Sequence, residues 1–111
     1  MTQRSLAHYA EETGCPWRSV DRIAYYCDDV LPALAADDPE AWPVRWDHCF
    51  RRIAYDAAVG SKWDRVVDRP FVDHATDDQR RGAALASARM VIGGAAVCDR
   101  LNDRSLNYRD E

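Results

Sequence analysis

Residues 76–101, TDDQRRGAALASARMVIGGAAVCDRL, predict the longest helix of the chain and with it an all-α fold. Thr76 is followed three residues later by Gln79, which is the spacing of a capping box at a helix N-terminus. Small and apolar residues then recur at helical spacing, and we expect these to face the core: Ala84, Leu85, Ala88, Val91, Ile92, Ala95 and Cys98. Gly93 and Gly94 interrupt the run, either because another helix packs closely there or because the helix breaks.

The rest of the chain also has helical spacing. It predicts helices at 4–13, 17–34, 44–59 and 62–67, with a connector at 36–43 and an irregular segment at 68–75. Gly14 and Gly60 are suited to end the first and third of these, and Pro32 is expected to kink or end the second. The sequence therefore predicts a single domain, 1–111, folded as a compact bundle of four to five helices that contains a helix-turn-helix-like hairpin.

The periodicity also assigns helix faces. In 17–34 the predicted inward face is Val20, Ile23, Ala24, Cys27, Val30 and Leu31, and in 44–59 it is Cys49, Phe50, Ile53, Ala54 and Ala57. The outward face of 44–59 is predicted to hold Asp47, His48, Arg51, Arg52, Tyr55 and Asp56, with the possible ion pairs Asp47–Arg51 and Arg52–Asp56. Ser61 and Asp64 have capping-box spacing for the short helix at 62–67.

Composition limits the class of protein. The chain has 111 residues, a formal charge of −4 and 47% apolar residues, enough for one hydrophobic core. No run of roughly 18 apolar residues and no leader-like N-terminus is present, so we expect a cytoplasmic protein without a membrane span. In reducing conditions Cys15, Cys27, Cys49 and Cys98 are expected to be thiols, mostly buried.

The segment 6–25, LAHYAEETGCPWRSVDRIAY, has the spacing of a helix-turn-helix. Ala10 is the small residue of the first helix, Gly14 lies in the turn, and Val20 and Ile23 would bury the second helix. The segment resembles the recognition unit of prokaryotic helix-turn-helix DNA-binding proteins. The resemblance implies double-stranded DNA as partner, a homodimer, and a recognition helix with these residues at the major groove: Trp17, Arg18, Ser19 and Arg22.

Charge is distributed unevenly, and the most basic part is the middle of the chain. Residues 1–30 have three Arg against five acids, whereas residues 44–70 have six bases against four acids. Aromatic residues are interleaved with these bases, so residues 45–69 predict a Trp/Arg-rich surface: Trp46, Arg51, Arg52, Tyr55, Lys62, Trp63, Arg65 and Arg69. We expect Arg51, Arg52, Lys62 and Arg65 to contact DNA phosphates. The alternative is a small protein-interaction module or inhibitor that binds a protein partner through this surface.

Catalysis and metal binding have little support in the sequence. His48, Cys49 and His74 are candidate ligands or bases, but no C-x-x-C or H-x-x-x-H spacing occurs. Nucleophile-elbow and phosphate-loop motifs are also missing. We therefore expect a binding protein rather than an enzyme, with no metal and no cofactor.

Overall fold

The computed structural model describes residues 18–110, and this part of the chain is built from helices and contains no strand. The elements are α1 (Ser19–Ala24), a π-helical segment (Tyr25–Val30), α2 (Leu31–Asp37), α3 (Asp47–Val59), a 3-10 turn (Trp63–Arg65), α4 (Phe71–His74) and α5 (Asp77–Arg109). The predicted all-α bundle is confirmed. The predicted helix at 4–13 and Gly14 lie outside the described residues.

One continuous helical rod forms from α1, the π segment and α2. The sequence predicted that Pro32 would kink or end this helix; the helix does not end there, since helical backbone continues to Asp37. A proline ring collides with the carbonyl four residues before it, here that of Asp28, and has no N–H to donate. Asp28 lies inside the π segment, so the wider turn falls where the proline disturbs the regular pattern. Ile23, Cys27, Leu31 and Ala35 face the core, while Val20 is exposed, contrary to the prediction.

The central helix α3 ends as predicted, at Gly60, whose φ of +77° is a left-handed conformation suited to glycine. Phe50, Ile53 and Ala54 are buried, which confirms that part of the predicted face. Three other assignments were wrong: Tyr55 and Asp56 are buried rather than outward, and Ala57 is exposed. α3 is covered on more than one side, so its buried face is wider than a single stripe.

The long helix α5 begins with the predicted capping box. Gln79 N–H donates to Thr76 Oγ1 at 3.1 Å, and Thr76 N–H donates to Gln79 Oε1 at 2.8 Å. Helix continues to Arg109, beyond the predicted end at 101, and it breaks at Gly94, where φ is 71° and ψ is −158°. Of the two explanations for the glycine pair, the break is therefore correct.

The inward face of α5 differs from the prediction at its largest residues. Leu85 and Ile92 are exposed, and the buried residues before the break are Ala83, Ala84, Ala86, Ser87 and Met90. Small residues allow the helices to approach closely: a Cβ added to Gly82 would lie 3.2 Å from Ala58 Cβ of α3. Close approach to α3, rather than the position of the bulkiest side chains, determines which face is inside.

Residues 61–75 fold differently from the prediction. The predicted helix at 62–67 is a single 3-10 turn, and its expected cap is wrong, since Ser61 Oγ donates to the Lys62 carbonyl instead. The predicted irregular segment contains α4. Aromatic packing fixes this region: the rings of Tyr55 and Phe71 stack with centroids 4.0 Å apart, and Trp63 meets both edge-on.

α5 also bears on the expected lack of a membrane span. It is the one described helix long and apolar enough to cross a membrane by length and composition, with a mean hydropathy of 1.2 in its most apolar window. About a third of that window is buried in the protein. The absence of a membrane span and the cytoplasmic location stay predictions.

Candidate interaction surfaces

The residues of the predicted recognition helix lie at the start of α1. Trp17 is outside the described residues. Arg18 is 84% exposed at its side chain, and its Nε lies 2.7 Å from Asp21 Oδ2. Ser19 is half-buried, and Arg22 is half-buried with an Nε that has no solvent exposure. Arg18 and Ser19 line a groove of about 510 Å³ together with Arg80 and Arg81 of α5, which sequence spacing could not have brought together.

Arg51 joins α3 to the π segment. Its Nε and Nη2 donate to the two carboxylate oxygens of Asp28 at 2.8 and 2.6 Å, and its Nη1 donates to the Tyr55 hydroxyl at 2.8 Å. The hydrogen bond to Asp28 raises the pKa of Arg51. The predicted pair with Asp47 was wrong, because Asp28 offers a bidentate partner from another element.

Arg52 joins α3 to the end of α5. Its Nη1 donates to Ser105 Oγ at 2.6 Å and its Nη2 donates to Asn102 Oδ1 at 2.7 Å. Burial lowers the pKa of Arg52. The predicted pair with Asp56 was wrong, because Asp56 is fully buried and is bound by Arg109, Ser105 and the Trp63 N–H. Arg51 and Arg52 are thus engaged in contacts between helices.

Three further bases named for the Trp/Arg-rich surface, Lys62, Arg65 and Arg69, also have partners. Arg69 Nη2 donates to Asp64 Oδ2 at 2.7 Å and lies over the Trp63 ring, and Lys62 Nζ is 3.7 Å from Asp64 Oδ1. The bond from Arg69 lowers the pKa of Asp64. Arg65 is exposed and has a partner as well. Of the three aromatic residues in this surface, Trp46 is 63% exposed, whereas Tyr55 and Trp63 are buried.

A different surface, at the break in α5, was not predicted. We call it the α5 groove; it has a volume of about 450 Å³ and is lined by Arg89, Ile92, Gly93, Val97, Arg100, Leu101 and Arg104. Ile92 is 87% exposed, more than any other large apolar residue that the structure describes. The three arginines are exposed, and none has a hydrogen bond or an ion pair within residues 18–110.

The break itself builds the α5 groove. Arg89 and Ile92 precede Gly94, and Val97, Arg100 and Leu101 follow it, so the change of backbone direction brings two helix faces to one concave surface. Gly93 is in close contact with Val97, since a Cβ added there would lie 2.2 Å from Val97 Cγ2. The signal in the sequence was the glycine pair combined with Arg100 and Arg104 at helical spacing.

Two of the three described thiols, those of Cys27 and Cys98, are buried. Cys27 Sγ lies 3.2 Å from Ser87 Oγ, and burial raises the pKa of Cys27 to about 11 and that of Cys98 to about 12. Both are buried as predicted, whereas Cys49 is half-buried and Cys15 lies outside the described residues. Across 18–110, no group of three or more His, Cys, Asp or Glu side chains is placed to hold a metal ion.

The fold defines an all-α helical bundle, and comparisons with known proteins add no closer assignment. No family model matches the chain, and no curated protein or solved structure matches it either. Its function is therefore argued from contacts, burial and charge.

Proposed function

We propose that this chain is a protein-interaction module that binds its partner through the α5 groove. The observation that carries this proposal is the exposure of Ile92, which is 87% accessible in a concave surface lined by arginines that have no partner among the described residues. Contiguous exposed apolar surface rimmed by polar groups marks sites that bind proteins, membranes or small ligands. Arginine is also among the residues enriched where binding energy concentrates.

This proposal keeps the class of function that the sequence offered as its alternative but moves the surface. Residues 45–69 were the predicted interface. Arg51 and Arg52 make interhelical hydrogen bonds there, and Arg69 pairs with Asp64. Ion pairs that are already satisfied would have to be broken to bind a partner, whereas the arginines of the α5 groove would gain theirs.

A selection experiment tests the proposal with the full chain. Random peptides of about 20 residues displayed on phage are selected on the wild-type chain, and recovered clones are rebound to Ile92→Ser. Leu85→Ser, at another exposed position of α5 outside the groove, is the matched control. We expect about tenfold weaker binding to Ile92→Ser and little change for Leu85→Ser. If no clone is recovered, or if the clones bind Ile92→Ser as tightly as Leu85→Ser, the proposal is overturned.

A second candidate function is DNA binding, as the resemblance of 6–25 implies. It is favoured by the exposure of Arg18 and by the groove that this residue forms with Arg80 and Arg81. Arg80 and Arg81 pair with Asp77 and Asp78, so binding would replace these carboxylates by phosphates. Arginine side chains and helix N-termini are common phosphate ligands.

A salt titration of binding to generic duplex DNA tests the second candidate. Genuine phosphate contacts give an affinity that falls steeply with salt, and each lost contact reduces the slope by about one. Arg18→Ala with Arg81→Ala should therefore lower both affinity and slope, while Arg100→Ala, outside this groove, should not. No binding at low salt would overturn the DNA function.

A further inference from the structure

We infer that the α5 groove binds an acidic amphipathic helix, whose carboxylates pair with Arg89, Arg100 and Arg104. This inference rests on the proposed function and adds the chemistry of the partner. All three guanidinium groups are exposed and have no hydrogen bond or ion pair with another described residue. A guanidinium presents paired N–H donors in a plane, which match the two oxygens of a carboxylate.

The charge of the groove argues against a second copy of this chain as its occupant. In a two-fold dimer that had this groove on the symmetry axis, the three arginines of one groove would meet the three of the other. Like charges brought together in this way weaken association. Asp99 and Asp103 are neighbours of Arg100 and Arg104 in the sequence, but they do not line the groove. The three arginines are better complemented by a negatively charged segment of another molecule than by a second copy of this groove.

The apolar residues of the groove distinguish between the negatively charged molecules that could bind there. Ile92, Val97 and Leu101 line the groove together with the arginines. A nucleic-acid backbone presents mainly phosphate and sugar oxygens, which do not match the apolar Ile92, and a flat bilayer surface would leave a concave volume of about 450 Å³ incompletely filled. Leu, Ile or Phe side chains beside Glu or Asp supply both kinds of contact.

We assign a helical partner segment because the described residues offer no strand edge to an extended peptide. Residues 18–110 contain no strand and so offer no strand edge with which an extended peptide could pair. A helix satisfies its own backbone hydrogen bonds and can place apolar side chains at i, i+3, i+4 and i+7 towards the groove. Carboxylates on either side of that stripe would then lie next to the arginines.

The test is a displayed library of amphipathic helices of about 20 residues. Leu, Ile and Phe vary on one face, and Glu, Lys and Gln are supplied equally at the flanking positions. In clones selected on the full wild-type chain, we expect Glu to be about five or more times as frequent as Lys at the flanking positions. Rebinding to Arg100→Gln with Arg104→Gln should be weaker by about tenfold or more, whereas Arg81→Gln, an exposed arginine of α5 outside the groove, should bind as the wild type does.

Each other outcome is decisive. Clones with Lys or Gln at the flanks as often as Glu overturn the acidic partner but leave the proposed function intact. Glu-rich clones that bind the Arg100→Gln/Arg104→Gln variant as tightly as the wild type also overturn the acidic partner, provided that both proteins have the same circular dichroism spectrum. Vesicles of phosphatidylserine in phosphatidylcholine and duplex DNA are assayed in parallel. Arginine-dependent binding to either, with no helix recovered, overturns the inference in favour of a phosphate ligand.

Discussion

Arg109, the last residue of α5, donates from Nε and Nη2 to the two carboxylate oxygens of Asp56 in α3, at 3.1 and 3.2 Å. Asp56 is fully buried, and it also accepts from the Trp63 N–H at 2.9 Å and from Ser105 Oγ at 2.6 Å. One carboxylate thus connects α3, the 3-10 turn and the C-terminal part of α5. Because the segment of α5 after Gly94 carries Arg100 and Arg104, this connection also holds half of the α5 groove in place.

The first prediction concerns that carboxylate. Asp56→Asn removes the negative charge that Arg109 meets and turns an amide N–H₂ towards other donors. We expect the free energy of unfolding to fall by about 2–4 kcal/mol, in the range for removing one partner of a buried charge network. Urea denaturation measures this, with Asp103→Asn on the exposed side of α5 as control at about 0.5 kcal/mol or less. An equally small change for Asp56→Asn would show that the network does not stabilise the fold.

The second prediction concerns the break in α5. At Gly94 the φ of 71° with ψ of −158° is a conformation that residues with a Cβ rarely adopt. Gly94→Ala should therefore destabilise the protein by about 1–3 kcal/mol in thermal or urea unfolding. In a continuous helix the same change would stabilise by up to about 1 kcal/mol, so the sign of the effect decides between a broken and an unbroken helix. Gly60→Ala, at the left-handed end of α3, provides a reference.

The sequence could predict local features of the fold but not contacts between distant parts of the chain. The capping box at Thr76 and the left-handed end at Gly60 are local features, in which a residue type meets a backbone requirement within a few positions, and both were predicted. Asp56 was assigned to the outside because periodicity records only the apolar residues of one helix. Its burial depends on Arg109 and Ser105, which are more than 45 positions away, and no local rule connects them.

The candidate site was still less accessible to prediction. Ile92 was assigned to the core because it is large and apolar, but alanines and Gly82 allow α5 to approach α3 on another face. The arginines of the groove were not singled out, since their convergence depends on the backbone direction at Gly94. Conversely, Arg51 and Arg52 stood out in the sequence, and their donors are engaged by Asp28 and by Ser105 and Asn102.

The third prediction concerns the aromatic cluster of Tyr55, Trp63 and Phe71. Phe71 is buried between these rings, and Phe71→Ala should lower the free energy of unfolding by about 3–5 kcal/mol. Leu85→Ala, at a position that is 58% exposed, should cost far less. Chemical denaturation compares the two variants directly. Equal losses would mean that residues 61–75 do not pack as described.

The fourth prediction concerns alkaline pH. The pKa of Cys27 in the folded chain, about 11, lies above the ordinary value of 9.0. The unfolded state therefore loses its thiol proton first as the pH rises, and stability should decline between about pH 9 and 11. Melting temperatures across this range measure the effect. A variant with Cys27→Ala and Cys98→Ala should show a shallower decline from its own neutral-pH value, and an unchanged slope would contradict buried, raised-pKa thiols.

The most direct test of the groove as the binding surface is a ¹H–¹⁵N NMR titration of the full chain with an acidic helical peptide recovered from the library. We expect the largest changes in backbone shifts at Ile92, Gly93, Val97 and Leu101, with smaller changes at 18–25 and 45–69. In Ile92→Ser the same changes should need about ten times more peptide to reach their midpoint. Shift changes concentrated at 18–25 or at 45–69 would contradict the account and return the binding surface to one of the two segments that the sequence singled out.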